Sequence, residues 1–404
     1  MSRVRILFLT HRFPYPPNQG GKIRPFNMIR HLTQAHEVTV ATLVRSQREA
    51  DAVPELQRQT GCRVLAARVG AVASSARALA RVFTATPSSM GYFYSPRLAR
   101  AIHSALEETA YNLILAHCSS VAPYVTRAAT PKILDFGDMD SQKWLAYADS
   151  LPAPLSFGYR LEGRKLERAE RRLAEEFDLS ICTTPAELES LHRLTAPRAS
   201  DYVPNGVDGD YFKPTAEPYD HDQICFLGRM DYYPNRDAIE WFCAEVLPLA
   251  RARRPGIKLT IIGSRPPRRI RALARIPGVT VTGSVPDVRP YAQRAALSVA
   301  PLRIARGTQN KILESLAMGV PVVSSALAAR GVDAVAGEHL LTATQPREYV
   351  DCMLRLLENR HEHARFAAAG RARALSHHNW QAPMHKLDEL IGQCLQRARS
   401  RGRS

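Results

Sequence analysis

The 404-residue chain contains no run of about 18 consecutive apolar residues, which excludes a conventional membrane-spanning helix. Its seven cysteines (Cys62, Cys118, Cys182, Cys225, Cys243, Cys352 and Cys394) stand singly with no Cys-x-x-Cys pair. That pattern argues against a cysteine-based zinc site or a disulfide framework, and it fits a reducing compartment. Acidic residues are short in number: 38 Asp and Glu against 55 Lys and Arg, a formal charge of +17. Such an excess fits an anionic partner, whether nucleic acid, an anionic membrane surface or an anionic small substrate, or else simply reflects an arginine-rich genome composition. No basic patch interleaved with aromatics gathers this charge, since the arginines are spread along the chain, so no nucleic-acid partner is expected. The N-terminus turns from basic to apolar over residues 1–10, but the apolar part is short and has no small-residue cleavage site. It reads as a first buried strand and not as a signal peptide.

What is present is an ordinary 45% of hydrophobic residues in a chain long enough for two domains of about 200 residues. Strand-like apolar runs alternate with helical spacing throughout. Residues 3–10 form a strand that enters a loop with three prolines and the pair Gly20-Gly21, and helical spacing is expected after Arg24, with Pro25 at the first helical position. Strands follow at 37–44 and 62–69. Residues 71–106 are helical in character, broken at Pro87 and Pro96, with Arg77, Arg81, Arg97 and Arg100 among apolar residues. This region reads either as an amphipathic membrane-facing surface or as a solvated face over the sheet.

The strand 111–116 ends at His117, which thereby points into the crevice where open parallel sheets bind ligands. After the strand 132–136, Asp138 and Asp140 form an Asp-x-Asp pair. It could hold a divalent metal, but an N-cap at Asp140-Ser141 is the preferred reading. An Arg- and Glu-dense helix spans 157–177, and a strand follows at 179–183. A short strand breaks into the turn Pro204-Asn205-Gly206, and the acidic, Pro-containing stretch at 213–222 reads as a linker. A second strand and helix series then begins, with glycines just past the strands at Gly228, Gly263 and Gly283. The expected fold is α/β, two Rossmann-like doubly wound domains facing a central cleft, at 1–212 and 213–379. A closing helix at about 380–396 is able to pack back on the first domain, and a basic tail covers 397–404.

The most informative stretch is residues 306–325. The buried strand before it, the helical spacing of Ile312, Leu313, Leu316 and Ala317, and the strand after it place Gly307 and Thr308 in a strand-to-helix turn, with Thr308 the natural N-cap. The free amides and positive dipole end of such a turn favour a phosphate, and Lys311 adds a cation one turn in. Glu314 needs another partner than a phosphate, and a pair of sugar hydroxyls suits its two oxygens. An ordinary βαβ unit with a solvated Glu314 is the plain alternative.

These features, in this order, resemble the retaining glycosyltransferases of family 4, whose fold is termed GT-B. The resemblance is carried by Gly20-Gly21, Pro204-Asn205-Gly206-Val207-Asp208, Phe226-Leu227-Gly228-Arg229-Met230, residues 311–323, Gly337-Glu338-His339-Leu340-Leu341 and Trp380. Within that family the chain looks most like the sugar transferases of exopolysaccharide and exosortase (PEP-CTERM) loci, through residues 135–144 and 230–235. The resemblance implies catalytic roles for Arg229, on the leaving diphosphate, and His117, on the donor sugar. It implies donor binding by Gly20, Gly21, Gly228, Gly283, Val285, Gly307, Thr308, Asn310, Lys311 and Glu314. Lys22, Arg24, Asp138 and Arg306 are acceptor or sugar candidates. No cofactor and no metal is expected, because an arginine and a helix N-terminus can neutralise the diphosphate. The implied partners are a nucleotide-sugar, a saccharide or lipid-linked acceptor, and an anionic membrane surface at the cytoplasmic face. Two departures stand out: Arg306 occupies a position where the family commonly has a sugar-binding glutamate, and Pro234 one where it often has lysine. A nucleotide-sugar epimerase of the same fold and a non-enzymatic basic nucleic-acid binder are the rival classes.

Overall fold

The computed structural model describes residues 3–401. They form two compact units, residues 3–204 with 384–401, and Asn205–Pro383. In the first, β1 (Arg5–Thr10), β2 (Glu37–Val44), β3 (Arg63–Arg68), β4 (Leu113–His117), β5 (Lys132–Gly137), β6 (Leu179–Cys182) and β7 (Ser200–Tyr202) form one sheet in the order β3-β2-β1-β4-β5-β6-β7. Every pairing is parallel. The central strands read as unbroken apolar runs because helices cover both faces, and all five residues of β4 are buried. β1 and β4 are sheet neighbours with Thr10 opposite His117, and the winding direction reverses between them. Their carboxyl ends therefore flank the switch point where such sheets open a crevice.

The first helix, Gly20–Ala35, starts earlier than helical spacing suggests and runs through Pro25. The amides of Lys22 and Ile23 already bond the Gln19 carbonyl, so Pro25 forgoes only one hydrogen bond, to Gly21. Three helices, Ala71–Ala80, Ser88–Tyr92 and Pro96–Glu108, fill the stretch after β3, with breaks at the two prolines.

The second unit repeats the plan with β8 (Asp220–Leu227), β9 (Lys258–Ile262), β10 (Val279–Gly283), β11 (Ala295–Ala300), β12 (Val322–Ser325) and β13 (Leu341–Ala343), ordered β10-β9-β8-β11-β12-β13 and again all parallel. β8 and β11 flank its switch point. Phe226, Phe242, Leu297, Leu313, Tyr349 and Phe366 lie in one core that spans the sheet and its helices.

The division between units falls at Pro204/Asn205, eight residues before the expected boundary, because the next residues are already tied into the second unit. The Val207 amide donates to the His378 carbonyl at 2.6 Å, Gly206 packs so closely on Trp380 that a Cβ would lie 2.7 Å from its ring, and Phe212 joins the second core. The stretch read as a linker is partly strand: β8 begins at Asp220, whose carboxylate accepts from Lys258 at 3.0 Å. The closing helix runs Gln381–Arg401, and from Met384 it belongs to the first unit. Leu387, Leu390 and Ile391 are buried, and Asp388 bonds His31 at 2.8 Å. Of the expected basic tail, Arg397, Arg399 and Arg401 are helical, and Arg403 lies outside the described residues.

Candidate functional site

At the strand tips of the first unit, four polar side chains are buried together. Asp135, on β5, is fully enclosed. Its Oδ2 and Oδ1 accept from Arg24 Nε and Nη2 at 2.8 and 3.0 Å, and Arg24 Nη1 donates to the Val203 carbonyl at 2.7 Å. His117 Nδ1 lies 2.8 Å from the same Asp135 Oδ2. Burial by itself would raise the carboxyl pKa, but Arg24 and His117 overcome it and hold Asp135 well below the usual carboxylate range. For His117, burial opposes the charge, while the Cys118 sulfur and Asp135 favour it and push the imidazole up to about 10. Cys118 itself has φ 78°, in the left-handed region that costs a non-glycine residue about 1–2 kcal/mol, and its amide is held by the Asp135 carbonyl at 2.7 Å.

His11, one residue past β1, completes the cluster with its ring centroid 5.9 Å from that of His117. Its pKa is pushed well below the ordinary value, first by burial and then by Arg12. Arg12 Nε donates to His11 Nε2 at 3.1 Å, so the ring is neutral with its proton on Nδ1, and Nδ1 is buried without a partner. His11, His117 and Cys118 bring ligand atoms within 4.8 Å of one another. A divalent cation fits poorly there, because Arg12, Lys143 and Arg45 already place positive charge around His11 and the proton-rich His117 faces it. The field suits an anionic or hydroxyl-rich ligand. Sequence reasoning missed His11 and Asp135 as site residues, although His11 stands past the tip of β1 as His117 does at the tip of β4.

Other candidates of this unit have different surroundings. Gly20 and Gly21 open the first helix. Lys22 bonds Glu49 at 2.9 Å, and Arg24 is held by Asp135 and Val203, where it positions the carboxylate. Asp138 accepts from Thr183 Oγ1 at 2.8 Å, and burial raises its pKa. The expected N-cap at Asp140-Ser141 is displaced: Met139 is the cap residue and the helix is Asp140–Ser150. Buried glutamates do the capping, Glu187 accepting from the Met139 amide at 2.8 Å and Glu170 from the Ser141 amide at 3.1 Å.

In the second unit the remaining candidates follow the ends of β8, β10 and β11. Gly228 and Gly263 touch, and a Cβ on Gly263 would lie 1.6 Å from the Gly228 carbonyl oxygen. A Cβ on Gly228 would in turn meet the Asn235 amide at 2.6 Å. Asn235 Nδ2 donates to the Arg229 carbonyl at 2.9 Å and its Oδ1 accepts from Lys311. Arg229 is half-buried, its Nε 2.6 Å from Asp231. Gly307 has φ 59° and leads into the helix Asn310–Ala317. Thr308 is not the cap, because Gln309 holds that position and makes no side-chain cap; the Thr308 hydroxyl is left buried without a partner. Lys311 and Glu314 sit one turn apart. Burial lowers Lys311 to about 7 and raises Glu314 to about 7, each countered in part by the other. Gly283 (φ 70°) ends β10, and Val285 packs on a small core of Cys225, Leu227 and Ile262. Arg306 is half-buried just before Gly307.

Two family models match this chain: "Glycosyl transferase 4-like domain" over residues 19–206 and "Glycosyl transferases group 1" over residues 221–359, together most of its length. The chain belongs to the GT-B glycosyltransferases. Among solved structures it is similar to sucrose-phosphate synthase from Thermosynechococcus elongatus, with a TM-score of 0.73, 18% identity and coverage of 97% of this chain and 99% of that one. It is also similar to HepE of Anabaena in complex with UDP-glucose (TM-score 0.68, 15% identity, 97% and 100% covered) and to a glycosyltransferase from Rickettsia africae (TM-score 0.65, 12% identity, 98% and 99% covered). At these identities the likeness speaks for the fold alone. No curated protein sequence matches the chain. Among the described residues, no helix of this glycosyltransferase is long and apolar enough to cross a membrane.

Proposed function

We propose that the protein transfers a sugar, with retention of anomeric configuration, from a nucleotide-sugar to a saccharide or lipid-linked saccharide acceptor in exopolysaccharide or envelope glycan synthesis at the cytoplasmic face of the membrane. The observation that carries this reading is the pair Lys311 and Glu314 at the start of the helix that follows Gly307 and Thr308. An ammonium beside free helix amides binds a diphosphate, and a carboxylate one turn further in accepts two ribose hydroxyls. Glu314 is held near neutrality by burial, and hydrogen bonds from a ribose would favour its charged form. The bound UDP-glucose of HepE supports a uridine donor.

In the mechanism, Arg229 leaves Asp231 for the donor diphosphate and stabilises the charge that develops as the bond to the anomeric carbon breaks. Thr308 Oγ1, buried and unpartnered, is available to the same phosphates. The cationic His117, fixed by Asp135, and the Nδ1–H of His11 hold sugar hydroxyls. The acceptor attacks the oxocarbenium-like centre from the face the diphosphate leaves, so no protein nucleophile is required and no metal is assigned. Lys311 reaches Asn235, next to Pro234, and takes the place of the lysine the family often has there.

A thermal-shift titration with UDP, GDP and ADP sugars tests the donor: a selective rise in Tm with a uridine compound is expected, since a ligand stabilises the state it binds. Arg229→Ala should abolish transfer with the fold intact, and normal turnover in that variant would sink the assignment. Product formed from donor without acceptor would point to an epimerase. Salt-sensitive binding to duplex or single strands at about 50 mM salt would point to a nucleic-acid binder.

A further inference from the structure

Residues 71–106 contain no Asp or Glu at all. Of the helix Ala71–Ala80 only Ser74 is buried; Val72 is 85% exposed and Leu79 also faces solvent, and Phe83, in the loop that follows, is 96% exposed. A second apolar set, Leu155, Phe157 (73% exposed) and Leu161, opens the helix Leu155–Glu176. The two sets belong to one surface. Buried Lys165 donates to the carbonyls of Arg81 and Val82, at 3.0 and 2.5 Å, and Glu162 accepts from the amides of Ser88 and Ser89 at 3.0 and 2.9 Å, so the loop is clamped along the helix at both ends. Between them lies a groove of about 480 Å³ lined by Phe83, Leu161, Arg164 and Arg168, among others.

The charge on this face is mainly positive; the exposed Asp149 is paired with Arg160 at 3.1 Å. The glutamates of the long helix up to residue 170 turn inward: Glu162 to the loop, Glu167 to Gln142 at 3.1 Å and Glu170 to Ser141. Arg81, Arg164 and Arg168 are exposed and, among the described residues, make no ion pair. A soluble surface rarely leaves a phenylalanine and several aliphatic side chains in water side by side. Apolar tips flanked by arginines match the acyl boundary of a bilayer beneath a layer of anionic headgroups.

We propose that this face, the helix Ala71–Ala80 with the Phe83 loop and the start of the helix Leu155–Glu176, docks the protein on an anionic lipid bilayer. Phe83, Leu79 and Phe157 enter the acyl boundary while Arg81, Arg164 and Arg168 meet lipid phosphates. The chain leads from here directly to the strand tips: ten residues after Phe83, Phe93 packs edge-on against His11 at 4.9 Å, and Arg45 lies over Tyr92 and Phe93. A lipid-linked acceptor lying in that bilayer would have its saccharide delivered toward His11 and His117. This last step rests on the acceptor class proposed above; the docking does not.

The test is flotation of the full-length protein with vesicles of phosphatidylcholine alone or with about 30% phosphatidylglycerol. Binding to the anionic vesicles that weakens with salt is expected. Arg164→Gln with Arg168→Gln should weaken it about thirtyfold, each basic residue near an anionic surface being worth roughly fivefold in partitioning. Phe83→Ser with Leu79→Ser should abolish insertion while Tm and donor turnover on a water-soluble acceptor stay at wild-type values, since these side chains face solvent. Absence of binding to anionic vesicles, or binding indifferent to both variants, overturns the proposal. A concentration-dependent dimer in light scattering that the Phe83 variant dissolves overturns it too, in favour of self-association.

Discussion

Asn in place of Asp135 removes a single charge from the most enclosed part of the first unit. The wild-type carboxylate is fully buried between Arg24, itself 2% exposed, and His117, and it also accepts from the Gly137 amide at 3.2 Å. Asparagine keeps the shape and one acceptor but leaves the Arg24 guanidinium as an uncompensated buried cation. Stranding one member of a buried pair costs about 3–5 kcal/mol. With a urea dependence of about 3 kcal/mol per molar for a unit of this size, the unfolding midpoint of that unit should fall by about 1 to 1.7 M. Far-UV circular dichroism in urea reads it. Adding Arg24→Met removes the stranded charge and should recover about half of the loss, the two sites being directly coupled. The pH dependence has a definite sign. Asp135 has its folded pKa below the unfolded value of about 3.9, so its contribution is complete above that value and is lost as pH falls through the folded one. An Asp135→Asn midpoint equal to that of the wild type, or a double variant as weak as the single, would refute this account.

Other outcomes follow from the same geometry. Glu170 is raised by burial to about 8, so the folded chain holds a proton that the unfolded chain releases above about 4.3, and stability falls as pH rises from there to 8; Glu170→Gln should flatten that slope in urea titrations at pH 5 and 8. Glu314→Gln should raise the donor KM about tenfold or more through weakened hydrogen bonds to the ribose, and an unchanged KM would remove that role. Because Lys311 is lowered to about 7 in the free protein, donor affinity should decline above pH 7 as binding must take up a proton, and Lys311→Arg should abolish that decline where Lys311→Met lowers affinity at every pH. Gly263→Ala forces a methyl into the Gly228 carbonyl and should destabilise the second unit by at least about 1–3 kcal/mol in the same urea assay.

Much of the fold could be read because both sheets are parallel and covered on both faces, so their strands are continuous apolar runs, and a histidine or glycine just after such a run lands at a strand tip whatever the loop does. That logic located His117, Gly228 and Gly283. It failed where a local signal met a tertiary partner. Pro25 looks like a helix start, yet the helix runs through it because Gln19 already anchors the first turn. Thr308 and Ser141 look like caps, yet the caps are Gln309 and Met139, and the amides near Ser141 are served by glutamates from other helices. Asp135 looked like one more residue of a buried strand. Only its closure by Arg24, 111 positions away, shows that the strand carries a charge that orients His117.

The first unit is not a continuous piece of chain. Its last helix leaves the ribosome only after all of residues 205–383, a delay of roughly 10 to 40 s at 5–20 residues per second. Until then the places filled by Leu387, Leu390 and Ile391 are open, and His31 and Asp201 lack Asp388 and Lys386. The domain whose sequence is translated first is therefore the one completed last. A fragment ending near residue 204 would remain in that waiting state.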